Sequence, residues 1–561
     1  MDEALLTVHN QLIGGIRVLY VSDYCYKCLY QPLVFVKDGH SNASVTVSTI
    51  FTLTLNVQHE SGNDTLCRFS EMFKEAGHYS LWVKESQTPE DSGSGCILSV
   101  EKKPHNAYWP LLTAFLLLGL VSLLWALAPF LSRLIRKIHF CLREPSVGND
   151  DEINPTENGA TTQRSSRLKS LDTFRGFSLT VMVFVNYGGG GYWFFQHAPW
   201  NGLTVADLVM PWFVFIIGTS VVLAFTSMRR RAVGRLQLLR KVTWRTVVLT
   251  LIGFCFLNYG PRDGLLSLSW LRIPGVLQHL GFTYFVLALM QTFSAHAEIP
   301  LKEHHWWNPI QDVVLYWPEW VFIIILEMVW LCLTFLLPVP NCPTGYLGAG
   351  GIGDGGLYPN CTGGAAGYID RWILGNHIYH YPTCKTLYHT TVPFDPEGVL
   401  GTINSIIMGF MGMQAGKIIL VFRLRNLSIL TRFLIWAVIL GTSAAILCKC
   451  TRDEGFIPVN KNLWSLSYVT CMGCFSFLLL GVMFFIVDIK GWWGGQPFIY
   501  PGMNSIFVYI GHSLLGAYFP FSWEMRCQDS HWELLFQNLW ATFLWVLIAY
   551  FLYRKRFFLK I

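Results

Sequence analysis

Two kinds of patterning divide the chain. Over residues 1–107 apolar and polar positions alternate in short runs, as in ASVTVSTIFTLTLNVQ, YSLWVKES and CILSVEKK, with turn residues between them. Alternation with period two turns one face of each run inward, which predicts half-buried β-strands. From residue 108 the pattern changes to long apolar runs, each close to the roughly 20 residues that an α-helix needs to cross a bilayer. Spans are predicted at 108–131, 173–190, 203–227, 242–258, 273–294, 317–338, 398–421, 429–448, 464–487, 499–519 and 533–553. The predicted fold is a polytopic α-helical membrane protein of about eleven transmembrane helices behind a small β-rich domain. Its parts are the β-rich domain 1–107, a first span 108–131, a linker 132–172 and a ten-helix body 173–561 with a long loop at 339–397.

Composition agrees with this division. Of the 561 residues 52% are hydrophobic and 14% charged, against about a quarter charged in soluble domains. The formal charge of +6 is modest, and its Lys/Arg clusters adjoin apolar runs. That is the positive-inside signature and not a nucleic-acid footprint. The clusters RLIRKIHFCLR, SMRRRAVGRLQLLRK, FRLRN and YRKRFFLK therefore face the cytosol, and the C-terminus with them. The β-rich domain and the loop 339–397 fall on the opposite side. Cys25, Cys28, Cys67 and Cys96, with sequons at Asn42 and Asn63, suggest a disulfide-stapled, glycosylated domain. A redox or metal role for Cys25-x-x-Cys28 lacks partner histidines and a βαβ context. Asn360 adds a usable sequon in the long loop, where Cys342, Cys361 and Cys384 include one expected disulfide; Asn426 lies in a cytosolic sequon and should stay unmodified. MDEALLTVHN has no signal-peptide core, so translocation rests on a segment upstream or on the first span. Residues 144–166 are polar and poor in aromatics and read as a disordered cytosolic linker open to nicking. No zinc, Walker or Rossmann pattern occurs in a credible context, and no metal is expected.

The chemistry concentrates at FVNYGGGGYWFFQHAPWNGLTVADLV, residues 184–209. His197 sits in a glycine- and aromatic-rich hairpin between two spans, with Asn186 upstream and Asp207 at the start of the next helix. A carboxylate inside a membrane helix is costly and marks a functional candidate. An Asn–His pair beside an acid suits general-base or nucleophilic work. The aromatics, Trp200 included, form either an interfacial belt or platforms for a sugar ring. At the cytosolic start of the same helix, Arg175 lies beside Gly176 and makes an i, i+3 pair with Asp172. Arg175 and Arg245 are candidates for binding phosphate groups. Asn504 and His512 share one face of span ten, as helix–helix glue or as part of a site. Asn460, Lys461 and Asn462 can meet a hydroxylated substrate, and Glu397 and Asn404 lie at the outer end of span seven. A histidine site facing outward and an arginine-bearing entrance facing inward suit a transporter or a transmembrane group-transfer enzyme.

SLDTFRGFSL resembles the opening of the membrane acyltransferases that move acyl groups onto sugars. The blocks VFVNYGGG, HAPWNGLTVADLV, RIPGVLQ, YPNCTGGAAGYID, DPEGVLGTINSI, GFIPVNKNLWSLSYVT and YPGMNSI resemble, within that group, the heparan-α-glucosaminide N-acetyltransferase family. They cover about 168–561; the cysteine domain and linker match more loosely. The resemblance implies transfer of acetyl from cytosolic acetyl-CoA to the terminal non-reducing glucosamine of heparan sulfate in the lysosomal lumen. It also implies a homodimeric lysosomal membrane enzyme with His197 as active-site histidine and Asn186 near it. His197 would be the base or would carry the acetyl group. Asn186 would orient the imidazole or bind the oxyanion. Beyond the resemblance, the residues' own chemistry has Trp200 stack on the sugar, Asp207 hold its amine and Asn504 contact it. Arg175 and Arg245 would hold the phosphates of coenzyme A. His279 is expected to be packing or an alternative base. The competing reading is a proton-coupled transporter of an acylated sugar or small anion, which predicts paired broken helices and inverted repeats; no repeat is evident. A receptor led by the β-rich domain would leave the intramembrane polar residues without purpose.

Overall fold

The computed structural model describes residues 1–37, 41–60, 65–84, 95–142, 168–258, 271–294, 310–423, 425–526 and 530–559. Asn63, Arg167, Cys527 and the linker beyond Leu142 lie outside the described residues.

The alternating N-terminal segment forms eight strands: β1 (Glu3–Asn10), β2 (Ile16–Ser22), β3 (Gln31–Val36), β4 (Asn42–Ser48), β5 (Leu53–His59), β6 (Thr65–Glu71), β7 (His78–Val83) and β8 (Cys96–Lys102). They make two four-stranded sheets, ordered β4-β1-β7-β8 and β3-β2-β5-β6. Leu6, Val8 and Leu81 of the first sheet share one buried core with Val18, Leu55 and Val57 of the second. The period-two pattern supplies these inward faces. The disulfide Cys67–Cys96 joins β6 to β8 across the two sheets, and Cys25–Cys28 closes the turn after β2.

Residues His105–Leu168 form a unit of their own. Its helix, α1 (Trp109–Leu142), runs past the expected end at 131 because the basic segment that follows carries no glycine or proline to stop it.

In the remaining body each expected span coincides with a helix: α2 (Lys169–Asn186), α3 (Val205–Arg230), α4 (Arg235–Ile252), α5 (Val276–Ser294), α6 (Trp317–Leu336), α8 (Val399–Val421), α9 (Asn426–Cys448), α10 (Leu466–Met483) and α13 (His531–Arg554). Span ten is the exception. It is broken at Asn504 into α11 (Ile499–Met503) and α12 (Ser505–Leu515). A short α7 (Gly364–Leu374) lies in the long loop. Among the described residues seven helices are by themselves long and apolar enough to cross a membrane, and the chain is a multi-pass helical membrane protein.

Glycines let the central helices touch through their backbones. A Cβ on Gly218 of α3 would lie 1.9 Å from the Gly409 carbonyl oxygen of α8, and one on Gly412 would lie 1.9 Å from that of Phe215. Small residues at such crossings replace the hydrophobic drive that lipid does not supply. Gly176 of α2 is equally tight against the Phe498 carbonyl, which fixes the end of α2 that bears Arg175.

The loop 339–397 is pinned by Cys342–Cys361, while Cys384 is buried as a free thiol. The β-rich domain seats on this loop: the Leu29 amide donates to the Ile352 carbonyl at 3.0 Å, and the Gly355 amide to that of Lys27 at 2.8 Å. Asp370 of α7 accepts the Val399 amide at 2.9 Å and so caps α8. Burial pushes the Asp370 pKa up to about 7. A carboxyl raised in the folded state favours folding at acid pH, and that stability is lost as pH rises from the ordinary carboxylate range through about 7. Wild type is therefore expected to melt at a lower temperature at pH 8 than at pH 5, and Asp370→Asn to lessen that difference. Identical pH dependence in the two proteins would contradict this assignment.

Candidate active site

The hairpin after α2 is built by conformation. Gly188, Gly189, Gly190 and Gly191 all take positive φ, at 114°, 58°, 71° and 81°, a region that side-chain-bearing residues reach only with strain. The chain reverses there and delivers His197 beside the first turn of α3. The imidazole Nδ1 lies 2.7 Å from Asp207 Oδ1. Asp207 Oδ2 accepts the Ala198 amide at 3.2 Å, the Thr204 amide at 3.2 Å and the Thr204 hydroxyl at 2.9 Å. Asp207 is 1% exposed and both of its oxygens are engaged. It therefore has no free face for a substrate amine, the role expected from sequence. It orients His197 instead. A carboxylate only accepts, so Nδ1 carries the hydrogen and the lone pair is on Nε2, in a side chain 37% exposed.

Asn186 also differs from expectation. Its Nδ2 lies 2.9 Å from His512 Nε2, and His512 Nδ1 donates to the Val508 carbonyl at 3.1 Å. His512 thus orients Asn186, and Asn186 does not orient His197. Trp200, 2% exposed, donates Nε1 to the Leu347 carbonyl at 2.9 Å and packs edge-on against Phe394. It clamps the hairpin to the long loop and is not among the residues lining the cavity described next. Asn504 is also off that cavity. Its amide donates to the Phe557 carbonyl at 3.0 Å and its oxygen accepts the Leu559 amide at 3.2 Å, which ties down the C-terminal tail. His279 is buried and stacked on Trp464, with Nδ1 3.3 Å from the Thr402 hydroxyl, and does not line that cavity. Of the hairpin aromatics, Trp193 packs against Tyr24 and Phe51 of the β-rich domain, and Tyr192 stacks on His531.

One cavity of about 450 Å³ connects the two constellations that sequence placed at opposite ends of α2. It follows α3 from Ala206 to Met228, a rise of about 33 Å, close to the roughly 30 Å hydrocarbon thickness of a bilayer. At one end it is lined by Asn186, His197, Glu397 and Lys461; at the other by Arg175, Ser220 and Arg245. Val209, Phe213, Ile216 and Ile217 make the stretch between them apolar. Arg175 donates to the Ser220 hydroxyl at 2.8 Å and to Asp172 at 3.2 Å. Arg245 lies with its guanidinium 4.7 Å from the Tyr284 ring centroid, and its buried Nε meets no hydrogen-bond partner among the described residues. A buried donor in that state is costly unless a ligand satisfies it.

The acidic part of the site was only half visible in sequence. Arg272 grips Asp395 bidentately, Nε to Oδ2 at 2.8 Å and Nη2 to Oδ1 at 2.5 Å, and its Nη2 also donates to Glu397. Burial alone would raise the Glu397 pKa, but Arg272 and Lys461 outweigh it and hold the carboxyl ionised, well below the usual range. No local pattern singles out Asp395, although an arginine in an apolar segment such as SWLRIPG requires an acidic partner somewhere. Among the described residues no group of three or more His, Cys, Asp or Glu side chains is placed to hold a metal.

The chain is 47% identical over 602 aligned residues to a heparan-α-glucosaminide N-acetyltransferase of Mus musculus, covering 100% of this chain and 89% of that protein. It is 49% identical over 595 residues to the Homo sapiens protein of the same name, covering 100% of this chain and 88% of that one. No protein-family model matches. Both relatives bear a transferase's name, and nothing in the comparisons favours a transporter. At that identity along its whole length, the chain is an acyltransferase and belongs to the heparan-α-glucosaminide N-acetyltransferase family.

Proposed function

We propose that the protein carries acetyl through the membrane, from acetyl-CoA bound at the arginine end of the cavity to the amine of a terminal glucosamine of heparan sulfate at the His197 end. The observation that carries this reading is the single cavity lined at one end by Arg175 and Arg245 and at the other by His197. Guanidinium groups suit the phosphates of coenzyme A, and the orphan Nε of Arg245 is a donor waiting for such an anion. The apolar stretch along α3 suits the thioester arm. At the far end an ammonium must lose a proton before its nitrogen can attack an acetyl carbon. Nε2 of His197 takes that proton as the nitrogen attacks, and the C–S bond breaks with coenzyme A leaving as its thiolate, to which the imidazolium can return the proton. Alternatively, Nε2 itself displaces the thiolate, carries the acetyl group, and takes the proton when the acetyl passes to the amine. In both routes Asp207 stabilises the imidazolium. Glu397, ionised and on the cavity wall, holds the ammonium in the place sequence had given to Asp207. The second amide hydrogen of Asn186, left over from its bond to His512, serves the carbonyl oxygen as it gains charge. The same reading puts the β-rich domain, with exposed Asn42 and Asn360 as glycosylation sites, in the lysosomal lumen and the C-terminus in the cytosol.

Purified protein given labelled acetyl-CoA and glucosamine should form N-acetylglucosamine. Arg245→Ala should raise KM for acetyl-CoA about tenfold or more, since a hydrogen bond to a charged group contributes about 1.5–3 kcal/mol. Its kcat should change much less. Absence of any acetylated sugar from the wild type would contradict the proposal. Label held on the wild-type protein before sugar is added would identify the acetyl-histidine route; no label would identify direct attack.

A further inference from the structure

We infer that Lys461 is an anion subsite of the acceptor, which recognises a carboxylate or sulfate carried next to the reacting glucosamine. This rests on the function proposed above. Lys461 lines the His197 end of the cavity and is 8% exposed. Its Nζ lies 3.9 Å from Glu397 Oε1, beyond hydrogen-bond reach though within ion-pair range, in a side chain that lines the cavity. An ammonium mostly withdrawn from bulk water, with three hydrogens to donate and its nearest carboxylate beyond hydrogen-bond reach, suits an anionic guest in a ligand cavity.

The placement is rigid. The Gly202 amide donates to the Val459 carbonyl at 2.9 Å, and Asn460 Nδ2 donates to Asn201 Oδ1 at 3.0 Å. Asn460 Oδ1 accepts the Leu463 amide at 3.0 Å, and the Trp464 amide closes on the Lys461 carbonyl at 3.1 Å. The loop that carries Lys461 is thus sewn to the segment between His197 and α3, and its charge reaches Asp207, the partner of His197.

The charges are complementary to one kind of acceptor. Arg272 and Lys461 balance Asp395 and Glu397, so the cluster is neutral as it stands. Glu397 offers a negative face and Lys461 a positive one. A glucosamine joined to a uronate, or one bearing an O-sulfate, brings an ammonium and an anion on neighbouring groups. It would meet both faces and leave the charge unchanged. A neutral or purely cationic sugar would offer Lys461 no anion of its own.

The test compares wild type, Lys461→Gln and Lys461→Arg on three acceptors: free glucosamine, glucosamine 6-sulfate and a glucosaminyl-uronate disaccharide. Lys461→Gln is expected to lose about tenfold or more in kcat/KM on an anionic acceptor, mainly through KM, and several-fold less on free glucosamine. Lys461→Arg should recover most of that loss. Whether the sulfate or the disaccharide is affected identifies the anion read. Equal losses on all three acceptors, or no loss on any, would overturn the subsite. If wild type acetylates none of them, the functional proposal falls by itself. Calorimetric binding of the N-acetylated disaccharide then decides the subsite: about tenfold weaker binding by Lys461→Gln upholds it, and equal binding overturns it.

Discussion

Replacing His197 with alanine is expected to reduce acetyl transfer by about a thousandfold or more, the range in which a positioned base or nucleophile contributes. Asp207→Asn should come close to that loss, although its side chain never meets the substrate. Asparagine keeps an oxygen for the Thr204 and Ala198 amides that now bond Asp207 Oδ2, so the cap of α3 survives. What it cannot supply is the negative charge that fixes the hydrogen on His197 Nδ1 and stabilises the imidazolium. In a comparable His–Asp arrangement the same change costs roughly 10⁴-fold. Single-turnover transfer and melting temperature should therefore part company in this variant, with activity nearly lost and stability nearly kept. Transfer within a factor of about ten of wild type by either variant, judged against the usual contribution of such a group, would remove His197 from the chemistry.

The second large effect is expected from the middle of the cavity. Ile217 lines it about midway between Ala206 and Met228 along α3. Ile217→Trp should plug the passage and lower transfer on the order of a hundredfold, as small misplacements of a reacting group do elsewhere. Ile217→Ala removes the same packing contacts but widens the passage, so it should keep most of the transfer rate at some cost in stability. Loss in both variants would mean that Ile217 matters for packing alone. Transfer through Ile217→Trp at the wild-type rate would mean that acetyl takes another way.

Local pattern made most of the architecture legible. Period-two alternation located the strands, and nine of the ten apolar runs after residue 168 each coincide with one helix, the tenth being broken at Asn504, because burial in lipid leaves few alternatives to an internally bonded backbone. The hairpin brought His197, Asn186 and Asp207 into one region because they are close in sequence. Which group bonds which was not legible. Asp207 reads as an intramembrane acid in either role, and only its four donors show that it faces inward. Trp200 and Asn504 are polar-tipped or polar residues in promising places, but their partners, Leu347 and Phe557, lie far along the chain. The grip of Arg272 on Asp395 and Glu397 spans 123 and 125 residues, a separation at which no periodicity speaks. Asn504 also shows how a single break in a helix turns a predicted face away from a site.

Whether acetyl crosses the membrane through this cavity is tested most directly by sidedness. The protein would be reconstituted into sealed vesicles with glucosamine trapped inside and labelled acetyl-CoA added only outside, for molecules whose arginine end faces out. Label should appear in the trapped sugar with wild type, and not with His197→Ala or Ile217→Trp. Acetylation only when donor and sugar share one side of the membrane would contradict the transmembrane route.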